Sequence, residues 1–300
     1  MLVKFTCAVV TRILFILVSL IGVWRVTWVK NNTLYWFLTI LYLPLVAEMI
    51  LTLKRRKGKD YKWFSPAILF FLMSIIPTIW ILELHHQQNS SHETKCNKLD
   101  STDSIQAFFD EWRNLTNGTV NPQDPLKLLS SVCANDWILA LHQILLILLI
   151  VGKWLLPIAG GVTRDEMSQL LLIFVGIAAD ILEFISETLS DVKENSPQFV
   201  YVILGVWTWS MLQFPLHISV VNSGTEDFSG DSLFSRHRAD ICNIVESLFL
   251  QDGPFLFVRL TVMMHFSVFH QMLVFFAFKN FLVVMLNIYR LWVICIDYRS

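Results

Sequence analysis

Eight stretches of about 20 mostly apolar residues recur along the chain, at residues 5–24, 34–53, 64–84, 137–156, 169–186, 199–220 and, within a final apolar region at 255–295, two more. A bilayer core of about 30 Å takes roughly 20 residues of α-helix at 1.5 Å each, so every stretch is long enough to cross. Polar residues bunch between them. The pattern predicts an all-α polytopic transmembrane helical bundle of about eight spans, one membrane domain over residues 1–300. The last region is the hardest to divide, because no Gly or Pro follows Pro254. A turn is expected near His270 and Gln271, with one very long helix as the alternative. Asp252-Gly253-Pro254 reads as a helix start, with Asp as N-cap and Pro in the first turn. Lys4 ahead of an apolar run resembles a signal peptide, but Arg12 interrupts the run and no small-x-small site follows Trp24. A retained first span is expected.

Charge orients the spans. Lys54, Arg55, Arg56, Lys57, Lys59 and Lys62, opposed only by Asp60, make residues 54–62 a basic loop that the positive-inside rule puts in the cytoplasm. The next loop, residues 85–135, then faces the lumen or exterior, and it carries sequons at Asn89, Asn114 and Asn117. Eight spans bring both termini to the cytoplasm, in the plasma membrane or endoplasmic reticulum. Asn31-Asn32-Thr33 is also a sequon, in a loop so short that it is expected unmodified. Trp36, Trp63, Trp80, Trp137 and Trp154 fall near span ends, where indole rings prefer to sit, while Trp207 and Trp209 do not fit that pattern.

Cys96 and Cys133 share the outer loop, and an oxidising compartment makes a disulfide the expected state, contributing about 3 to 4 kcal/mol in the chain-entropy picture. Two free thiols are the alternative. Between them, Ile105, Phe108, Phe109 and Trp112 form one apolar face of a short helix, expected to pack on the outer mouth of the bundle.

Arg12, Glu48, Asp180, Glu183, Arg259, Lys279 and Arg290 lie in or near apolar runs, where an ionised side chain costs around 2.5 to 3.5 kcal/mol at a helix centre. Such groups need partners or water. The clearest cluster is on the fifth span, which Thr163-Arg164-Asp165-Glu166 begins as a capping box. Asp180, Glu183 and Glu187 then fall within an arc of about 60° at 100° per residue. These carboxylates line a cation or proton path, pair with Arg259, Lys279 or Arg12 and hold the bundle together, or line a substrate pocket. Counted from Ser168 at about 1.5 Å per residue, Asp180 lies about 18 Å deep and Glu183 about 22 Å. Arg259 matches that depth only if its helix begins near Glu246 rather than Asp252. The spacing therefore predicts a helix continuing upstream of Pro254 and a contact from Arg259 to Asp180 or Glu183.

Other chemistry is sparse. His85 and His86 end the third span and His142 begins the fourth, so an outer-surface metal site is conceivable, but no third ligand stands at helical spacing and no metal is expected. Pro77 reads as a kink and Gly160-Gly161 as a helix stop. Catalytic motifs are missing, and Gly230-Asp231-Ser232-Leu233, which spells one esterase nucleophile block, lacks a downstream Asp-x-x-His. No catalytic residue and no cofactor are expected. Composition agrees with a membrane protein: 55% hydrophobic and 16% charged residues with mean hydropathy +0.56 exclude a disulfide scaffold, a nucleic-acid binder and a disordered chain. The net charge of −1 points to neither an acidic nor a basic partner.

Several segments resemble the transmembrane protein 26 family, a family of vertebrate multipass membrane proteins. They are residues 22–27 (GVWRVT), 58–68 (GKDYKWFSPAI), 82–86 (LELHH), 154–189, 207–216 (WTWSMLQFPL), 251–260 (QDGPFLFVRL) and 279–284 (KNFLVV). The likeness covers nearly the whole chain and is strongest where the acidic face lies. It implies a multipass membrane location and carries no activity or catalytic residues with it. The leading expectation is a non-enzymatic membrane protein acting through protein or lipid contacts, its partners unnamed apart from the bilayer itself. The alternative is an ion or solute channel or transporter using Asp180, Glu183 and Glu187.

Overall fold

The computed structural model describes residues 2–56, 61, 64–89, 96, 102–117, 128–129, 131–156, 164–189, 192, 197–216, 241–266 and 269–297. Among them the chain is a helical bundle without strands, its one bridge joining Phe64 to Leu216. Among the described residues seven helices are long and apolar enough to cross a membrane, and an eighth, at Gln198–Met211, is apolar but shorter. The basic residues 57, 59 and 62, Thr163 of the expected capping box, Gly160-Gly161 and residues 230–233 lie outside the described residues.

Helix α1 spans Leu2–Lys30. It stops at Asn31, whose φ of 46° is a left-handed conformation that Asn tolerates better than most residues. Asn32 then caps a long 3-10 helix, Thr33–Tyr42, with its side chain accepting from the Leu34 N–H. The tight helix gives way to α2, Leu43–Arg56, just before Pro44. Pro44 brings no N–H for the Ile40 carbonyl, which accepts instead from Leu43. Helix α3, Pro66–Asn89, lies against α1, where Gly22 leaves room for Thr78 and the rings of Phe15 and Phe71 stack at 4.3 Å. Small residues permit that close approach, as is usual between helices in lipid.

Beyond α3, Cys96 and Cys133 are joined by a disulfide. Helix α4, Thr102–Asn117, covers the expected amphipathic segment, but Ile105 and Phe109 stay exposed instead of packing on the bundle mouth. Helix α5, Ala134–Leu155, is pressed against α1 so closely that a Cβ on Gly152 would meet the Phe15 ring at 2.7 Å. Helix α6 runs Arg164–Glu183 and continues into a π-helical turn, Phe184–Thr188.

Helix α7, Pro197–Met211, is shorter than the apolar run at 199–220 suggests. After Met211 the chain turns over residues 212–215, and the Pro215 carbonyl accepts from the Ser65 N–H at 2.7 Å. Pro215 cannot continue a helix, which accounts for the early stop. Trp207 departs from the interfacial pattern because it is a core residue, fully buried.

The next span overturns Asp252 as N-cap. It runs continuously over Ile241–His265, through a π-helical segment, Ser247–Asp252, into α8, Gly253–Phe266. A π turn accommodates Pro254 without the i−4 hydrogen bond that proline cannot make. It also brings the Leu248 carbonyl within 2.2 Å of where a Cβ on residue 253 would sit, so only Gly fits there. Helix α8 ends at Phe266, and α9, Gln271–Asp297, begins after His270. Much of α9 faces outward, with Phe275, Phe278, Leu286 and Trp292 exposed, as lipid-facing positions are.

Candidate functional site

Asp180 and Glu183 on the α6 face meet cations. One guanidinium nitrogen of Arg259, Nη2, donates to both Glu183 oxygens at 2.6 and 2.7 Å, and Nη1 donates to the Phe276 carbonyl at 3.3 Å. The guanidinium lies among the rings of Phe184, Phe255 and Phe276, and Phe184 and Phe255 stack face to face at 4.0 Å. Asp180 accepts from the Lys279 ammonium on one oxygen and from Gln251 Nε2, at 3.4 Å, on the other. The two ion pairs differ in exposure. Arg259 and Glu183 are 1% and 17% exposed, whereas Lys279 and Asp180 are 36% and 28% exposed, so only the first pair is closed off. Glu187 lies in the π turn, where the α-helical extrapolation from Asp180 and Glu183 no longer holds.

Asp180 stands at the head of a cavity of about 290 Å³ that begins near Leu216 and Asn243, at the end of the bundle opposite the disulfide. Its apolar wall includes Ile173, Ile177 and Val283. Its polar wall carries Glu246 and Asp252 from the π-helical span, together with Gln213 and Gln251. Gln213 Nε2 donates to Gln251 Oε1 at 3.1 Å, the Ser247 hydroxyl donates to Asp252, and Asn287 Nδ2 donates to the Ser247 oxygen at 3.0 Å. Lys153, from α5, donates to the Leu216 carbonyl at 2.7 Å and acts electrostatically on Glu246. Sequence reasoning missed Glu246, Asp252 and Gln251 because Asp252-Gly253-Pro254 looked like the start of a helix. The signal that finds them is the depth of Arg259, which already demands helix upstream.

A second cavity, of about 110 Å³, lies at the disulfide end, lined by Glu83 of α3, Asn135 and His142 of α5, and Ser186 of the π turn. His142 is not at the surface. It and Glu83 are 2% and 3% exposed, with His142 Nε2 3.7 Å from Glu83 Oε1. Its depth escaped the sequence because His142 was measured from its own span end, whereas burial comes from Trp207 on another helix, 4.9 Å away. Helix α6 lines the first cavity and its π-helical continuation the second, with Glu183, paired to Arg259, between Asp180 and Ile185 along the helix.

Elsewhere Arg12 pairs with Glu48 rather than with the α6 acids. Its Nε and Nη2 donate to the two Glu48 oxygens at 2.9 and 2.7 Å, and Thr52 donates to Glu48 as well, fastening α1 to α2. Arg25, buried near the disulfide, donates to the Val132 carbonyl at 3.2 Å and stacks on Trp137. Among the described residues no group of three or more His, Cys, Asp or Glu could hold a metal ion.

The sequence profile of the transmembrane protein 26 family matches residues 2–290. The chain belongs to that family. No solved structure matches it. As a transmembrane protein 26 family member it is an integral, multipass membrane protein, and the matched region contains both cavities and all the ion pairs described.

Proposed function

We propose that this transmembrane protein 26 family member is a non-enzymatic transport protein that takes a small organic cation into the cavity below Asp180. The observation that carries the reading is the charge around that cavity. Among the described residues, Asp180, Glu246 and Asp252 line it and no Lys or Arg does, with Lys279 paired to Asp180. An intramembrane charge that faces a cavity rather than lipid is the usual mark of a solute path. The apolar wall of Ile173, Ile177 and Val283 suits the hydrocarbon part of an organic cation, and the volume exceeds what a bare ion needs. The half-exposed Lys279 ammonium already occupies one Asp180 oxygen, so it stands where a solute ammonium would bind. In the proposed orientation both termini and the cavity mouth are cytoplasmic and the disulfide end faces the lumen or exterior.

The test is flux into proteoliposomes of choline, guanidinium and rubidium. Choline is the decisive probe because it cannot cross as a neutral base. Choline uptake above that of protein-free vesicles, lowered at least about tenfold by Asp180→Asn or Asp252→Asn in variants that remain monodisperse, is the expected result. If none of the three cations crosses faster than in protein-free vesicles, the transport reading fails. The pairing of Glu183 with Arg259 and of Asp180 with Lys279 then favours the second reading, a protein that acts through protein or lipid contacts.

A further inference from the structure

The cavity at the disulfide end holds a group that the Asp180 cavity does not use. His142 is 2% exposed, lines the cavity, and has no hydrogen-bond partner on either ring nitrogen among the described residues. A buried imidazole left so is costly unless something else satisfies it. The contact at 3.7 Å to Glu83 is too long for a hydrogen bond but well within Coulomb range. On the side toward the middle of the bundle, Trp207 packs edge-on against the ring and closes it off. What remains open to His142 is the cavity, polar on the Asn135 and Ser186 side and large enough for several waters at roughly 10 to 15 Å³ each.

An imidazole that touches cavity water, beside a carboxylate able to hold its positive charge, is a proton acceptor in a membrane interior. We infer that the Glu83–His142 cavity is a proton-binding station facing the disulfide end, and that cation movement through the Asp180 cavity is coupled to it. In the binding step a hydronium ion gives its proton to a ring nitrogen of His142. One O–H bond breaks, one N–H bond forms, a water molecule is left behind, and the new charge lies against Glu83. The ionisable group facing His142 from α3 is Glu83, while α6 presents Ser186 and α7 presents Trp207, neither of which titrates near neutral pH. Coupling has a physical carrier in α6, which lines one cavity with Asp180 and the other with Ile185 and Ser186, the π turn beginning between them. The coupling rests on the transport reading above; the proton station does not.

Two measurements on the full chain separate these statements. With 15N-labelled histidine in lipid nanodiscs, the His142 signal, assigned by its loss in His142→Gln, should change between about pH 5 and 8 and should titrate differently in Glu83→Gln. A His142 signal fixed across that range overturns the station, whatever the flux. In proteoliposomes, acidifying the disulfide side should accelerate choline movement at least about tenfold. His142→Gln and His142→Asn should abolish that acceleration while keeping choline exchange at equal pH at the wild-type rate. Either variant still driven by the pH gradient, or losing exchange as well, overturns the coupling. Wild-type protein that moves no cation while its His142 signal titrates overturns the transport reading and the coupling, and leaves the station standing.

Discussion

Arg259 and Glu183 are joined through a single guanidinium nitrogen that reaches both carboxylate oxygens, with the rest of the guanidinium enclosed by three phenylalanine rings. Enclosure decides the energetics. With both groups largely out of water, removing either partner leaves a lone charge in a low-dielectric site, whereas removing both leaves none. Arg259→Leu or Glu183→Leu should each cost about 3 to 5 kcal/mol, and the double variant should cost less than either. Lys279→Leu, which breaks the more exposed pair, should cost no more than about 1 kcal/mol. Unfolding in detergent measures all four. Additive single costs in the Arg259 and Glu183 double variant would reject the pairing.

Gly253 tests the π-helical segment. Helix propensity alone makes Gly253→Ala stabilising by about 0.8 to 1 kcal/mol. The Leu248 carbonyl, 2.2 Å from the added Cβ, makes it destabilising instead, by about 1 to 3 kcal/mol. The sign of the change in the same detergent unfolding experiment decides between a π and an α path through residues 247–252.

Topology is tested by glycosylation in mammalian cells. Asn89 ends α3 half-buried, its Nδ2 against His85 Nε2 at 2.8 Å, while Asn114 and Asn117 lie in α4, away from the end of a span. Asn114→Gln with Asn117→Gln should therefore remove nearly all of a glycosidase-sensitive gel shift, and Asn89→Gln little of it. A reporter sequon appended after Ser300 should stay unmodified. A glycosidase-insensitive wild-type protein would remove the support for this orientation, and a modified reporter would mean an odd number of spans.

The spans were legible because a bilayer forces one signal, a long apolar run, onto every crossing helix. Where a second signal competed, local reading misled. Pro215 shortens α7 inside an apolar run, and Asp252-Gly253-Pro254 imitates a helix start in the middle of one. Asp180 and Glu183 were visible as neighbours because their spacing lies within one helix, and Arg259 was tied to them by depth. Glu83 and His142 were not, because what buries them comes from other helices and no spacing along the chain encodes it. Helix α4 shows the converse: an apolar stripe establishes amphipathicity but not what, if anything, covers it.

The π-helical segment at Ser247–Asp252 gives this span two phases. At about 100° per residue an unbroken α-helix would set Asn243 and Asp252 about 180° apart, on opposite sides. One extra residue within the turn takes back about 100° and leaves about 80°, so both line the same cavity. The segment thus works as a one-residue phase shifter. Deleting a single residue between 247 and 252 would let that stretch close as plain α-helix with both flanking faces kept in place, whereas deleting one elsewhere in the span would turn one face away from the cavity.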